Sequence, residues 1–353
     1  MLDFRKPVTD TVYLDGQNLR LPATHIGRDG RGPFAIKMVD SANLFGNSGR
    51  LTVPGGGVLL SDVVAGGLHD LTIVQEGGQD RADALVAVEG GNDVCLENIT
   101  LIGGAPDGVN PRATRGFWLG ASRMENGKQT EATRNIDARN LRAICTWHTG
   151  ISVCSAGRNL VADSLSHGSA GSGFKSSPTV EGGYTVFRNC YADGCAWQGG
   201  QTDNTPLEDR RVMNRNVWWE GGGMVRNRAN GLLFVDAEMC GAKRMLIAGN
   251  SEHGVQIVNS KSVALEDCVF DGNGVASSDY NVVRVIAESD DCEVDLIRCR
   301  VLNHRNASPR LRLVAVGKNL VVRMIGCSGF GPAQIEERLG GKVVIEDGGG
   351  NDS

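Results

Sequence analysis

The sequence predicts an all-β solenoid, a coil of short strands stacked turn upon turn, and three observations predict it. Glycine supplies 49 of the 353 residues and aromatics only 5%, so the chain turns often and packs small aliphatic side chains. A short strand motif recurs along the chain. No clear helical stretch separates its copies.

The motif is a β-branched strand, a polar or Cys position, then small residues and Gly. It appears as Val94-Cys95-Leu96-Glu97-Asn98-Ile99, Leu160-Val161-Ala162-Asp163-Ser164-Leu165 and Thr185-Val186-Phe187-Arg188-Asn189-Cys190. It returns as Val263-Ala264-Leu265-Glu266-Asp267-Cys268, Val294-Asp295-Leu296-Ile297-Arg298-Cys299 and Val322-Arg323-Met324-Ile325-Gly326-Cys327, with weaker copies near Ile136 and Val217. Steps between last positions, 165 to 190, 268 to 299 and 299 to 327, are 25, 31 and 28 residues. A second strand, entered through Gly, follows most copies: Gly116-Phe117-Trp118-Leu119, Gly150-Ile151-Ser152-Val153, Gly173-Phe174-Lys175, Gly231-Leu232-Leu233-Phe234 and Gly254-Val255-Gln256-Ile257. One such unit cannot bury its inward face alone, whereas stacked units share a continuous core. A β-propeller has repeats of roughly 40 to 50 residues, longer than these uneven steps.

With its V-x-L-E-[ND]-C/I copies and G-[VIL]-x-[VIL] partners, the chain resembles the right-handed parallel β-helix superfamily of pectate-lyase-like proteins, which includes many bacteriophage tailspikes. The resemblance spans roughly residues 50 to 348. It implies an inward ladder of Cys190, Cys268, Cys299 and Cys327. Residues 1–50 break the repeat and are expected to cap the coil or attach it to a base protein of a virion, because an exposed solenoid end invites association. Residues 51–348 form the coil, and 349–353 a flexible tail.

The net charge of -5 disfavours non-specific nucleic-acid binding, which calls for a basic excess. The opening residues, MLDFRKPVTD, lack the apolar run of a secretory signal, and no stretch reaches the roughly 18 apolar residues of a membrane span. The ten cysteines include no CxxC pair, and Cys145-Thr146-Trp147-His148 is a lone Cys/His pairing, so no metal site is expected and the thiols read as small buried hydrophobes.

Two insertions, 103–132 and 199–214, lengthen the coil and are expected to overhang its middle rungs. Aligning the turns before the second strand gives a stripe of candidate ligand-binding residues: Trp147, His148, His167, Trp197, Gln198 and His253, with Arg226, Asn227 and Arg228 at the equivalent turn. Aromatic rings beside hydrogen-bonding groups suit sugars, which offer an apolar face and a rim of hydroxyls. The bland alternative is a series of ordinary solvated turns.

For catalysis, Asp193, Asp203, Glu208 and Asp209 offer carboxylates, and a glycosidase needs two at a defined separation. His167, Lys175 and Arg115 are candidates for a lyase base, an activity that often uses Ca²⁺ held by Asp and Glu, although no calcium-ligand cluster is legible. The Asn-Thr-Asp, Asp-Asp, Gly-His-Gly and Arg-Ile-Lys motifs of polygalacturonases are absent, and Ser166-His167-Gly168-Ser169 echoes them only faintly. The basic segment Arg298, Arg300, Arg305, Arg310 and Arg312 reads first as a solvated sheet face.

The expectation is therefore a spike or fibre component of a phage or phage-derived particle, homotrimeric, that binds cell-surface polysaccharide. It would sit on a virion or on the outer surface of a particle assembled in the cytosol, or be secreted if a signal had been removed. The alternatives are a polysaccharide lyase or glycoside hydrolase of the same fold, and a structural strut.

Overall fold

The computed structural model describes the chain apart from residues 1–2, 23, 27–32, 77–83, 105–114, 122, 126–127, 132, 178–182, 203–212, 278, 305–308 and 353. The described residues form strands and no helix. Two long sheets contain almost all of these strands. Sheet 1 has twelve, from Phe34–Met38 to Gln334–Arg338, and sheet 2 has twenty, from Val12–Tyr13 to Lys342–Asp347. Every strand pair within both sheets is parallel, so the chain winds as a parallel β-helix with its core between the sheets.

A left-handed position in the repeat, filled by Asx in most rungs and by Gly221, Arg244, Arg298 and Gly326 in others, makes each coil bend. Asp70, Asn98, Asn140, Asp163, Asn189 and Asp267 have φ between 50° and 56°, a left-handed conformation that Asn and Asp tolerate better than other side-chain-bearing residues. The bend also resets the alternation of a strand. Leu96 and Ile99 both face the core although three positions apart, while Glu97 and Asn98 face out. Outside, the Asx side chains bond between rungs: Asn98 Nδ2 donates to Asp70 Oδ1 at 2.8 Å, and Asn140 Nδ2 to Asn98 Oδ1 at 2.8 Å.

The paired residues Ala138 and Val161, Trp219 and Ala242, and Ala242 and Leu265 give a basic rung of 23 residues, and longer steps are this rung with an enlarged turn. One expected step is corrected. Leu165 pairs with Tyr191 rather than Cys190, because Asn189 and Cys190 align with Asp163 and Ser164. In register, Ser164, Cys190, Gly222, Met245, Cys268, Cys299 and Cys327 then form one column. The last three thiols are contiguous, while Gly222 and Met245 separate them from Cys190, and all four thiols are buried. Each Sγ–H points to a carbonyl of the preceding rung, such as Cys299 to Leu265 O at 3.2 Å and Cys327 to Leu296 O at 3.2 Å.

The coil's pairings begin inside residues 1–50. Val12–Tyr13 and Asn18–Arg20 pair with Asn43–Val53 in sheet 2, and Phe34–Met38 opens sheet 1. An irregularity between Phe45 and Gly49, with Asn47 and Ser48 at positive φ, disturbs the motif in this stretch and hides its periodicity. Phe4 and Val8 pack against the core at this end. At the other end Asn351 donates from Nδ2 to Met324 O at 2.9 Å and accepts from Cys327 N at 2.7 Å, tying the expected flexible tail to the last rungs.

Candidate functional site

The turn leading into sheet 1 is shaped by a column of glycines, Gly150, Gly173, Gly199, Gly231 and Gly254. None needs a left-handed backbone; what each needs is space. A Cβ on Gly173 would stand 2.5 Å from Ala192 Cβ, and one on Gly231 2.5 Å from Ile247 Cγ2. Behind these glycines runs a buried asparagine ladder. Asn227 donates from both its backbone N and its Nδ2 to Asn250 Oδ1, at 3.0 and 2.9 Å, and Asn250 does the same to Asn273 Oδ1, at 3.2 and 2.8 Å. Nδ2 of Asn250 also reaches Met224 O at 2.9 Å. These bonds satisfy buried polar atoms rung by rung and hold the turn in one shape.

With the glycines as reference, the predicted stripe divides. Gly150 aligns with Gly173 rather than Gly171, which moves His167 out of the turn and onto a sheet 2 strand, Leu165–His167. There His167 Nδ1 lies 3.4 Å from Asp193 Oδ2, and Asp193 is already held by Arg226 through Nε at 2.9 Å and Nη2 at 2.5 Å. His167, Asp193 and Arg226 thus form a surface polar cluster on sheet 2, away from the other candidates. Asp203, Glu208 and Asp209 lie outside the described residues, as do Arg305, much of the first insertion and most of the second.

On the turn before sheet 1, His148, Gly171 and Trp197 occupy one column, and the His148 and Trp197 rings meet edge-on with centroids 6.0 Å apart. Trp197 is 48% exposed, and Trp147 beside His148 is half-buried. The next column comprises Thr149, Ser172, Gln198, Asn230, His253 and Asn281. Ser172 Oγ donates to Gln198 Oε1 at 3.2 Å and to Gln201 Oε1 at 2.8 Å, and Asn230 Nδ2 donates to Gln256 Oε1 at 3.1 Å. His253 is only 2% exposed, so it lies beneath the surface stripe.

Both turn histidines are held neutral. His148 Nδ1 accepts the Thr149 N–H at 2.7 Å, and burial, followed by the charges of Arg115 and Lys175, pushes its pKa down to about 4. His253 Nδ1 accepts the Asn281 N–H at 2.9 Å, and burial, with Arg284 next, lowers its pKa to about 4 as well. Each neutral ring consequently carries its hydrogen on Nε2.

Beside this turn lies the outward column of sheet 1, which the repeat analysis did not single out. In register it reads Trp118, Ser152, Lys175, Gln201, Leu233, Gln256, Arg284 and Arg312. At roughly 4.8 Å per rung it runs about 34 Å. Arg115 lies over the Trp118 ring, 4.4 Å from its centroid. Trp118, Ser152, Lys175, Leu233 and Gln256 stand third in the glycine-entered strands, where period two already marked an outward position. Lys175 belongs to this column, and its charge reaches His148. The face combines aromatic rings, amide groups and fixed positive charge. No group of three His, Cys, Asp or Glu residues placed to hold a metal ion occurs among the described residues.

The same winding occurs in solved structures. Two mannuronan C-5 epimerase A-modules of Azotobacter vinelandii superpose with TM-scores of 0.64 and 0.66, at 14% and 13% identity, each match covering 98% of this chain and 91% of the module. A mutant tailspike protein of Escherichia coli bacteriophage HK620, in complex with a pentasaccharide, superposes with a TM-score of 0.61 at 12% identity, covering 93% of this chain and 60% of the tailspike. The chain is a right-handed parallel β-helix. That fold is shared by tailspikes and carbohydrate-active enzymes, and at these identities the likeness concerns fold alone. No family model and no curated protein matches the sequence.

Proposed function

We propose that the outward face of sheet 1, with the His148–Trp197 turn as one wall, binds an extended polysaccharide, and that the protein serves as a recognition spike or fibre of a phage or phage-derived particle. The observation that carries the reading is the unbroken register column from Trp118 to Arg312, lying beside an aromatic turn. A ligand built of repeating units gains from a protein whose binding groups also repeat, and exposed rings flanked by amides match sugar faces and hydroxyls. The tailspike neighbour, whose complex holds a pentasaccharide, supports this reading.

The second reading, a polysaccharide-modifying enzyme, is favoured by the near-complete coverage of the epimerase modules. On this reading Lys175 and His148 are the groups nearest the face that move protons, because Asp193 is committed to Arg226 on the other sheet. Incubating the protein with a panel of bacterial capsular and exopolysaccharides, and following chain length, ultraviolet absorbance and sugar composition, tests both. Binding without chemical change supports the spike. Shortened chains, unsaturated ends or an altered sugar establish an enzyme, and no interaction leaves a structural strut.

A further inference from the structure

The two ends of the core differ. At the first rungs Phe4, Val8, Leu19 and Leu21 pack against the buried side chains. At the last rung the inward columns run out into solvent. Val322 and Leu313 are fully buried, whereas their register partners on the last rung, Ile345 and Ile335, are 39% and 49% exposed. Leu339, in the turn between these two strands, is 87% exposed. Asp352 bridges to Ser328, so the tail continues the last rung instead of folding across it.

The strand edges are open there as well. Among the described residues Lys342–Asp347 pairs only with Asn319–Ile325, and Gln334–Arg338 only with Leu311–Val316. The Lys342 and Gly348 N–H groups donate back to Lys318 O and Met324 O, so by strand alternation Val343 and Ile345 direct their peptide groups to the open edge. Of these groups the Val343 N–H is received by Glu337 Oε1 at 2.8 Å. An open edge of this kind is a template for another strand.

The strand Lys342–Asp347 is complementary to itself. Turned antiparallel about Val344, it sets Lys342 opposite Glu346, Val343 opposite Ile345 and Val344 opposite its own copy. Residues directly opposite in an antiparallel pair share a face, and this register respects both faces. Val343 and Ile345 continue the inward columns of Leu320 and Val322, while Lys342, Val344 and Glu346 point outward. Core therefore meets core, and opposite charges meet outside. The register also joins Val343 to Ile345 through the peptide groups that face the open edge. A slip of one residue would set inward side chains against outward ones.

We propose that two copies of this chain join end to end through Lys342–Asp347, about a two-fold axis at Val344, each coil continuing the other's sheet and covering its bare core. In the dimer Glu337 yields the Val343 N–H to the Ile345 carbonyl of the second copy. A two-fold contact uses the same patch on both partners, so it closes on itself and does not propagate. The inference is independent of the polysaccharide reading.

Sedimentation velocity and small-angle X-ray scattering of the full chain over a range of concentrations test it. Twelve strands of sheet 1 at about 4.8 Å spacing make a coil roughly 55 Å long. The expected result is a monomer–dimer equilibrium whose dimer is about twice that length. Val344→Asp sets two carboxylates against each other and should weaken the dimer about tenfold or more. Its melting temperature as a monomer should hardly change, because Val344 is 48% exposed. Lys342→Glu and Glu346→Lys should each weaken association. The double variant, and an equal mixture of the two single variants, should restore it, because opposite charges again face each other. Recovery in the mixture is a result that a folding defect in either variant cannot produce. A chain that stays monomeric throughout, a trimer, a dimer no longer than the monomer, or a dimer indifferent to Val344→Asp overturns the end-to-end contact. Single variants that weaken association without recovery in the double variant or the mixture overturn the register.

Discussion

The His148 and Trp197 rings meet edge-on across the empty position of Gly171, with centroids 6.0 Å and planes 61° apart. The two residues sit two rungs apart in one column, and only a residue without a side chain between them allows the contact. The rings brace each other, so Trp197 is presented at the surface in a set orientation instead of sampling rotamers.

Replacing Trp197 with Ala should therefore lower affinity for a confirmed glycan about tenfold, the loss of one aromatic anchor. Because Trp197 is 48% exposed, the melting temperature should hardly change. Trp147→Ala, at the half-buried neighbour of His148, should act in the same direction. Calorimetric titration and thermal unfolding of each variant check this, and unchanged affinity in both removes the stripe from the binding face.

Gly173→Ala should destabilise the coil without touching the ligand. Its Cβ would meet Ala192 Cβ at 2.5 Å and the Gly199 carbonyl at 2.7 Å, so a rung must shift. Overpacking of this kind costs about 1–3 kcal/mol, read as a lower denaturation midpoint. Gly194→Ala is the contrasting control: nothing stands near its Cβ, and the penalty comes only from φ 65°.

Asn250→Ala removes the acceptor of two Asn227 donors and a donor to Met224 O, all in a buried turn. Leaving several buried groups unmet should cost about 3 kcal/mol or more. Urea unfolding should show the loss, and Asn250→Asp should not recover it, because a carboxylate keeps the acceptor but loses the Nδ2 donor and buries a charge.

Stability should fall on acidification between about pH 6.5 and pH 4. His148 and His253 have folded pKa values near 4, below the ordinary histidine value of 6.5. In that window the unfolded chain binds protons that the folded chain refuses, so the unfolded state gains as pH drops, and below pH 4 these two groups add no further slope. For the buried His253 the effect is on the order of 3 kcal/mol. Urea unfolding at pH 7 and pH 4.5 measures it, and His253→Asn should reduce the difference and leave the share of His148.

The strand motif was legible because it is local. The V-x-L-E-[ND] text specifies a buried alternation and then a left-handed bend, and both are properties of a few neighbouring residues, so Leu96, Asn98 and Ile99 announce their places unaided. The site was only partly legible. Trp197, His148 and Gln198 were found because each precedes an entering glycine, but His167 was misassigned by two residues in the phase of one turn. Such phase is invisible when Gly171 and Gly173 both stand near the strand and neither has room for a Cβ, so that only the pairing of the strands decides which one aligns with Gly150.

The sequence by itself determined that the chain would coil, where strands would run and which side chains would be inward, since these follow from period two, Asx bends and glycine. The tertiary structure alone decided which residues share a column, because register depends on how long each turn is, and rungs here range from 22 residues upward. Stacking at the strand spacing is what places Arg284 between Gln256 and Arg312, and Trp197 two rungs from His148, across sequence separations that no local pattern encodes.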